Sequence, residues 1–132
     1  MIKYTLTFLL FATLFSQGAH AQKHKLSVAQ KEDKICDLIA SLPEVIKADD
    51  YIIKNTKGKR HLQTYIEDRP GKEGKYYQLT VSEDNGVNLV PHFKFMVDSK
   101  TYAIYYWDVM NDKLIPLAKW RKQLAAKKLN KA

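Results

Sequence analysis

The sequence predicts an α+β protein: an amino-terminal helix or kinked helix pair packed on a four-stranded antiparallel meander, followed by a short carboxyl-terminal helix. Three observations carry this. Apolar residues recur at helical spacing from Val28 to about Asn55, the period shortens to two from Arg60 onward, and a helical pattern returns after Pro116. Helices first and hairpin-linked strands afterwards is the order in which a helical stripe covers one sheet face and leaves the other to water or a partner.

The first helix is expected from about Val28 to Ala40. Ser27 and Gln30 have the spacing of a capping box, in which each side chain satisfies a backbone amide left free by the first turn. Ile35, Leu38, Ile39 and Leu42 then fall at i, i+3, i+4 and i+7, a stripe that needs a surface to cover. Ser41 and Glu44 repeat the capping spacing, and Pro43 is tolerated in a first turn because its missing amide hydrogen costs nothing there. The chain should kink at this point. Val45, Ile46, Ile52 and Ile53 continue the stripe to about Asn55, with Gly58 as terminator, although the cluster Tyr51-Ile52-Ile53 also fits a short strand.

In the alternating region, Leu62, Thr64 and Ile66 share one face of a first strand, which Arg69-Pro70-Gly71 ends. Tyr77, Leu79 and Val81 share one face of a second. Asn85-Gly86 has the composition of a type I′ turn, whose two central residues both need positive φ, so Tyr76 to Ser82 should pair with Leu89 to Val97. That third strand presents Leu89, Phe93, Phe95 and Val97 together. Asp98-Ser99-Lys100 turns the chain into a fourth strand, Tyr102 to Val109, marked by Tyr105-Tyr106-Trp107. Asn111-Asp112 turns it again, and Pro116 sets up a helix from Leu117 to Leu129.

Two surfaces follow as candidate binding sites. If Leu62, Ile66, Leu79, Val81, Phe93 and Phe95 face the helices, then Tyr65, Tyr76, Gln78, His92, Lys94 and Met96 share the opposite face, where hydroxylated rings beside a histidine and a lysine suit recognition. The last helix offers the other. Leu117, Trp120 and Leu124 form its narrow apolar side, and six basic residues, Lys119, Arg121, Lys122, Lys127, Lys128 and Lys131, lie on it with no acidic one. Trp120, Arg121 and Lys122 would make contact there with an acidic protein or an anionic membrane. The blander alternative is that Trp120 and Leu124 anchor the helix to the core while the lysines are solvated.

Residues 1–21 have the layout of a secretory signal peptide: Lys3, an apolar run from Leu6 to Phe15, then Ala19-His20-Ala21. The run is shorter than the roughly 20 residues needed to cross a bilayer. Cleavage before Gln22 would leave about 111 residues, enough for one domain with a single core: a flexible leader at 22–27 and an α+β domain from 28 to 132. The expected location is periplasmic or secreted. Lys3 is the only charged residue removed, so the net charge falls from +8 to about +7, which favours acidic partners such as envelope proteins, acidic glycans or anionic lipid, and chromosomal nucleic acid is not among them.

Cys36 is the only cysteine, so no internal disulfide can form, and its place on an apolar stripe suits a buried, inert thiol. Catalytic signatures are missing. His24, His61 and His92 are far apart in sequence and match no zincin spacing, and the runs Asp108 to Asp112 and Glu83-Asp84 lack the spacing and central glycine of a calcium loop. No serine sits in a nucleophile elbow, and the glycines are scattered among turns. No metal, cofactor or catalytic residue is therefore expected.

The order of elements resembles that of small exported bacterial α+β domains of the cystatin-like and PepSY-like kind, in which a helix lies across an antiparallel sheet. The likeness rests on the helix around Ile35 to Leu42, the hairpin Ser82-Glu83-Asp84-Asn85-Gly86, and Phe95-Met96-Val97-Asp98-Ser99-Lys100-Thr101 leading to Ile104-Tyr105-Tyr106-Trp107-Asp108. It implies a binding or inhibitory module and carries no catalytic residues across. The inhibitory glycine-containing loop of true cystatins is not in this chain, so protease inhibition of their kind is not implied. The leading expectation is an exported, non-catalytic protein that binds an envelope macromolecule, as an inhibitor or immunity-type protein would. The alternatives are docking on anionic lipid through the basic helix, and a small ligand carrier or enzyme using a concave sheet.

Overall fold

The computed structural model describes residues 25–131. The leader expected at 1–21 and the first part of the polar stretch after it, His24 included, lie outside the described residues. Helix α1 spans Val28–Ala40 and α2 spans Pro43–Asn55. Five strands follow, β1 (Leu62–Asp68), β2 (Tyr76–Asp84), β3 (Leu89–Asp98), β4 (Ile104–Asp108) and β5 (Lys113–Pro116), and helix α3 (Leu117–Leu129) ends the chain. The strands form one antiparallel sheet in sequence order, with all three helices on one side of it.

The capping box at α1 is complete: the Gln30 amide donates to Ser27 Oγ at 3.2 Å and the Ser27 amide to Gln30 Oε1 at 3.0 Å. The second capping expectation fails. Ser41 closes α1 by donating its hydroxyl to the Leu38 carbonyl, Leu42 is the N-cap of α2 without a side-chain bond, and the Glu44 carboxylate turns to Arg121. Only Ser41 and Leu42 separate the helices, and with Ser41 the C-cap of α1 the N-cap of α2 falls to Leu42. Tyr51-Ile52-Ile53 is helix, with Ile52 buried against the sheet side.

The sheet departs from the expected alternation at two bulges. Ile66 pairs with Leu79 and Asp68 with Gln78, which leaves Glu67 as an extra residue in β1; Val81 pairs with Phe93 and Ser82 with Pro91, which leaves His92 extra in β3. An extra residue reverses the face of everything beyond it. Leu89 is consequently paired with Asp84 and exposed, away from the face that Phe93, Phe95 and Val97 share. The β2–β3 connection is a four-residue loop at 85–88 rather than a two-residue type I′ turn. Only Gly86 has positive φ, and Asn85 instead accepts the Val87 and Asn88 amides on its side-chain oxygen. A fifth strand adds to the four expected: between the Asn111-Asp112 turn and the last helix, Lys113–Pro116 pairs with Tyr105 to Asp108. Four residues ending in proline are too few to show a period.

The core sits between the helices and one sheet face. Ile35, Ile39, Leu42 and Val45 descend from α1 and α2 onto Tyr77, Leu79, Val81, Phe95 and Val97. Trp120 of α3 closes the other half. Its ring is 5% exposed, stacks on Tyr106 with centroids 4.7 Å apart and 9° between planes, and meets Phe93 and Phe95 edge-on. Next to this anchor in the chain, Arg121 grips Glu44 through two bonds of 2.6 and 3.0 Å and ties α3 to α2. Trp120→Ala should cost about 3–5 kcal/mol of folding stability, whereas Arg121→Ala should cost about 1 kcal/mol or less because the pair is solvent-screened. Urea unfolding of the two variants side by side measures both.

Candidate functional site

The sheet face without helices is built around Glu67. Its carboxylate lies over the strands, where Oε2 accepts from Lys94 Nζ at 2.7 Å, from Gln78 Nε2 at 3.0 Å and from the Thr80 hydroxyl. Lys94 leads these donors in holding the carboxyl at about 2, with Thr80 and then Gln78 adding to it. The Lys94 ammonium also lies 5.7 Å from the centroid of the Trp107 ring, so it bridges a carboxylate and an aromatic face.

Aromatic side chains surround this polar centre. Tyr65 shares a hydrogen bond with Ser82 at 3.3 Å, Tyr76 meets Tyr105 edge to face at 5.6 Å, and the Trp107 indole N–H donates to Asp112. Lys75 sits over the Tyr76 ring while pairing with Asp98 at 3.2 Å. Asp98 is itself held down to about 2, chiefly by the Thr101 and Lys100 amides it accepts, with Lys75 assisting. Thr80 and Ser82 are 1% and 0% exposed although no helix covers them. The long side chains on this face lie across the strands and shut water out.

The expected site residues separate accordingly. Tyr65, Tyr76, Lys94, Gln78 and Met96 do share the helix-free face. His92 does not: the bulge carries it to the helix side, where Nε2 lies 3.1 Å from Glu83 Oε2 and Glu83 also receives Arg60 at 3.2 Å. This pair borders a hollow of about 380 Å³ lined by Ala48, Tyr51, Ile52, Asn55 and Thr56. A histidine–carboxylate pair can move a proton, but of the hydroxyls lining this hollow that of Thr56 already donates to the Ile52 carbonyl and accepts the Arg60 amide, and that of Tyr51 belongs to a side chain 69% exposed. Trp120 is in the core and Arg121 is bound to Glu44, so of the three residues proposed on the last helix only Lys122 presents a free, exposed side chain. The apolar side of α3 is spent on the sheet.

Glu67, Tyr105 and Trp107 are members of the face that the sequence reading left out. Strand alternation could have found them, since Glu67 follows Tyr65 by two and Tyr105 and Trp107 flank the inward-facing Tyr106. Among the described residues, no three His, Cys, Asp or Glu side chains gather into a metal-binding group. Cys36 is half-buried, and burial together with Asp33, Asp37 and Glu32 pushes its thiol pKa up, which keeps it protonated and a poor nucleophile. No family model, no characterised protein and no solved structure matches the chain.

Glu67 has a folded pKa below its ordinary 4.5, so its contribution to stability is complete above that value and is lost as the pH falls towards about 2. Glu67→Gln should therefore flatten the fall in urea midpoint between those two pH values relative to the unsubstituted chain. The slope that remains belongs to Asp98 and the other paired carboxylates. An unchanged slope in the variant would contradict the network described for this face.

Proposed function

We propose that this is an exported, non-catalytic protein of the cell envelope that recognises another macromolecule with the helix-free face of its sheet, in the manner of an inhibitor or immunity-type protein. The observation that supports this reading is the preorganisation of that face. Glu67, Lys94, Gln78 and Thr80 satisfy one another, and Tyr65, Tyr76, Tyr105 and Trp107 are set around them on a rigid sheet. Ordered aromatic side chains supply contact area at little entropic cost, and a charge already paired in place needs no rearrangement when a partner arrives. The face is open and broad rather than enclosed, which suits a macromolecule better than a small ligand. The signal-peptide layout of residues 1–21 supports export, and the likeness to exported helix-on-sheet binding domains points in the same direction.

Two measurements test it. Amino-terminal sequencing of the protein recovered from outside the cytoplasm should begin at Gln22. Capture from envelope extract should retain a partner on the unsubstituted protein and lose it at least about tenfold on a Tyr76→Ala, Tyr105→Ala double variant, while a Lys119→Glu, Lys122→Glu variant on the far side keeps it. Equal recovery on both variants would remove the sheet face as the recognition surface.

A further inference from the structure

The loops at one end of the sheet form a second surface, separate from the face discussed above. The register brings the α2–β1 connection (56–61), the β2–β3 loop (85–88) and the β4–β5 loop (109–112) to the same end, since Leu62 pairs with Glu83, Asp84 with Leu89, and Asp108 with Lys113. The last turns of α3 reach this end too, for Lys127 shares a hollow with His92, Met110 and Asn111.

Cations and protruding apolar tips alternate there. Lys54, Lys57, Lys59, Lys127, Lys128 and Lys131 have no ion-pair partner among the described residues. The carboxylates at this end are engaged in local bonds: Asp49 accepts the Leu62 amide, Asp84 the Gly86 amide, Asp108 Asn111 and Asp112 the Trp107 indole, and Glu83 is held by Arg60 and His92. Val87 and Met110 stand 85% and 92% exposed at the tips of two different loops. The basic connection is firmly built. The Gly58 amide donates to the Ile53 carbonyl, the Lys59 amide to the Thr56 carbonyl and the Arg60 amide to the Thr56 hydroxyl, with Lys57 and Gly58 both at positive φ.

We infer that this loop end docks on an anionic bilayer, with Val87 and Met110 entering the headgroup region and the lysines resting on the lipid charge. Val109 beside Met110, and Leu89 and Val90 beyond Val87, are exposed as well, so apolar side chains stand among cations on more than one loop, and a soluble polyanion has no use for them. A fluid interface accepts both at once. This site does not depend on the sheet-face reading, and it replaces insertion of α3, whose apolar side lies in the core.

Co-sedimentation of the full chain with phosphatidylcholine vesicles, with and without about a third phosphatidylglycerol, tests the inference at low and high salt. Binding should require phosphatidylglycerol and weaken with salt. A Lys57→Asn, Lys59→Gln variant should bind about tenfold more weakly or worse, at roughly fivefold per lysine. A Val87→Gln, Met110→Gln variant should weaken several-fold, and a Lys72→Gln, Lys100→Gln variant at the opposite end should bind as the unsubstituted chain does. Every variant carries the same residues 1–24, so differences among them report the loops, and thermal melts confirm that each is folded. A tryptophan placed at Val87 should shift its emission to the blue on anionic vesicles. Binding without phosphatidylglycerol dependence, equal loss at both ends, undiminished binding of the Val87→Gln, Met110→Gln variant, or an unshifted emission would each overturn the inference.

Discussion

The stacking of Trp120 on Tyr106, under the edges of Phe93 and Phe95, is the contact on which the architecture rests. The helices α1 and α2 lie mainly over β1 and β2, so without this ring the inner surfaces of β4 and β5, and the Phe93 end of β3, would face water. One indole seals them because the residues it meets are themselves large and flat, and edge-on and stacked contacts add to the area buried. It also decides what α3 cannot do. A helix rich in lysine with a narrow apolar side would suit a membrane surface, but its apolar side is committed inward, and its lysines are left as a cationic outer coat.

The parts of this fold that were legible in the sequence are those governed by near neighbours. The capping box of Ser27 and Gln30 places the start of α1 because both partners lie within one turn, and the stripe of Ile35, Ile39 and Leu42 marks its buried side. The ends of α2 and α3 are likewise set by Pro43 and Pro116. The bulges at Glu67 and His92 were not legible, because an extra residue is defined only against the strand opposite. The cost of missing them was specific: Leu89 and His92 were each assigned the wrong side. Strand β5 was hidden by its brevity, and the two possible destinations of Trp120 look the same in sequence.

The same division runs through the candidate site. Tyr65, Tyr76 and Lys94 follow from alternation alone. Their meaning does not, because it is the register of neighbouring strands that brings Lys94, Gln78 and Thr80 onto one oxygen of Glu67. A lysine that looked like a free contact is thereby fixed between a carboxylate and an indole. The face is a prearranged surface of rings around a neutralised centre, and its character depends on geometry more than on composition.

Strands that pair only with their neighbours in the chain have a further consequence. Each of the four ladders joins segments separated by one short connection, and α1 and α2 lie just ahead of the strands they cover. Little chain entropy has to be surrendered before any one hairpin closes, so the barrier to reaching the native state is low for a protein this rich in sheet. With a lone cysteine, no pairing of thiols within the chain stands in the way. A polypeptide arranged like this has no distant strand to find when it folds.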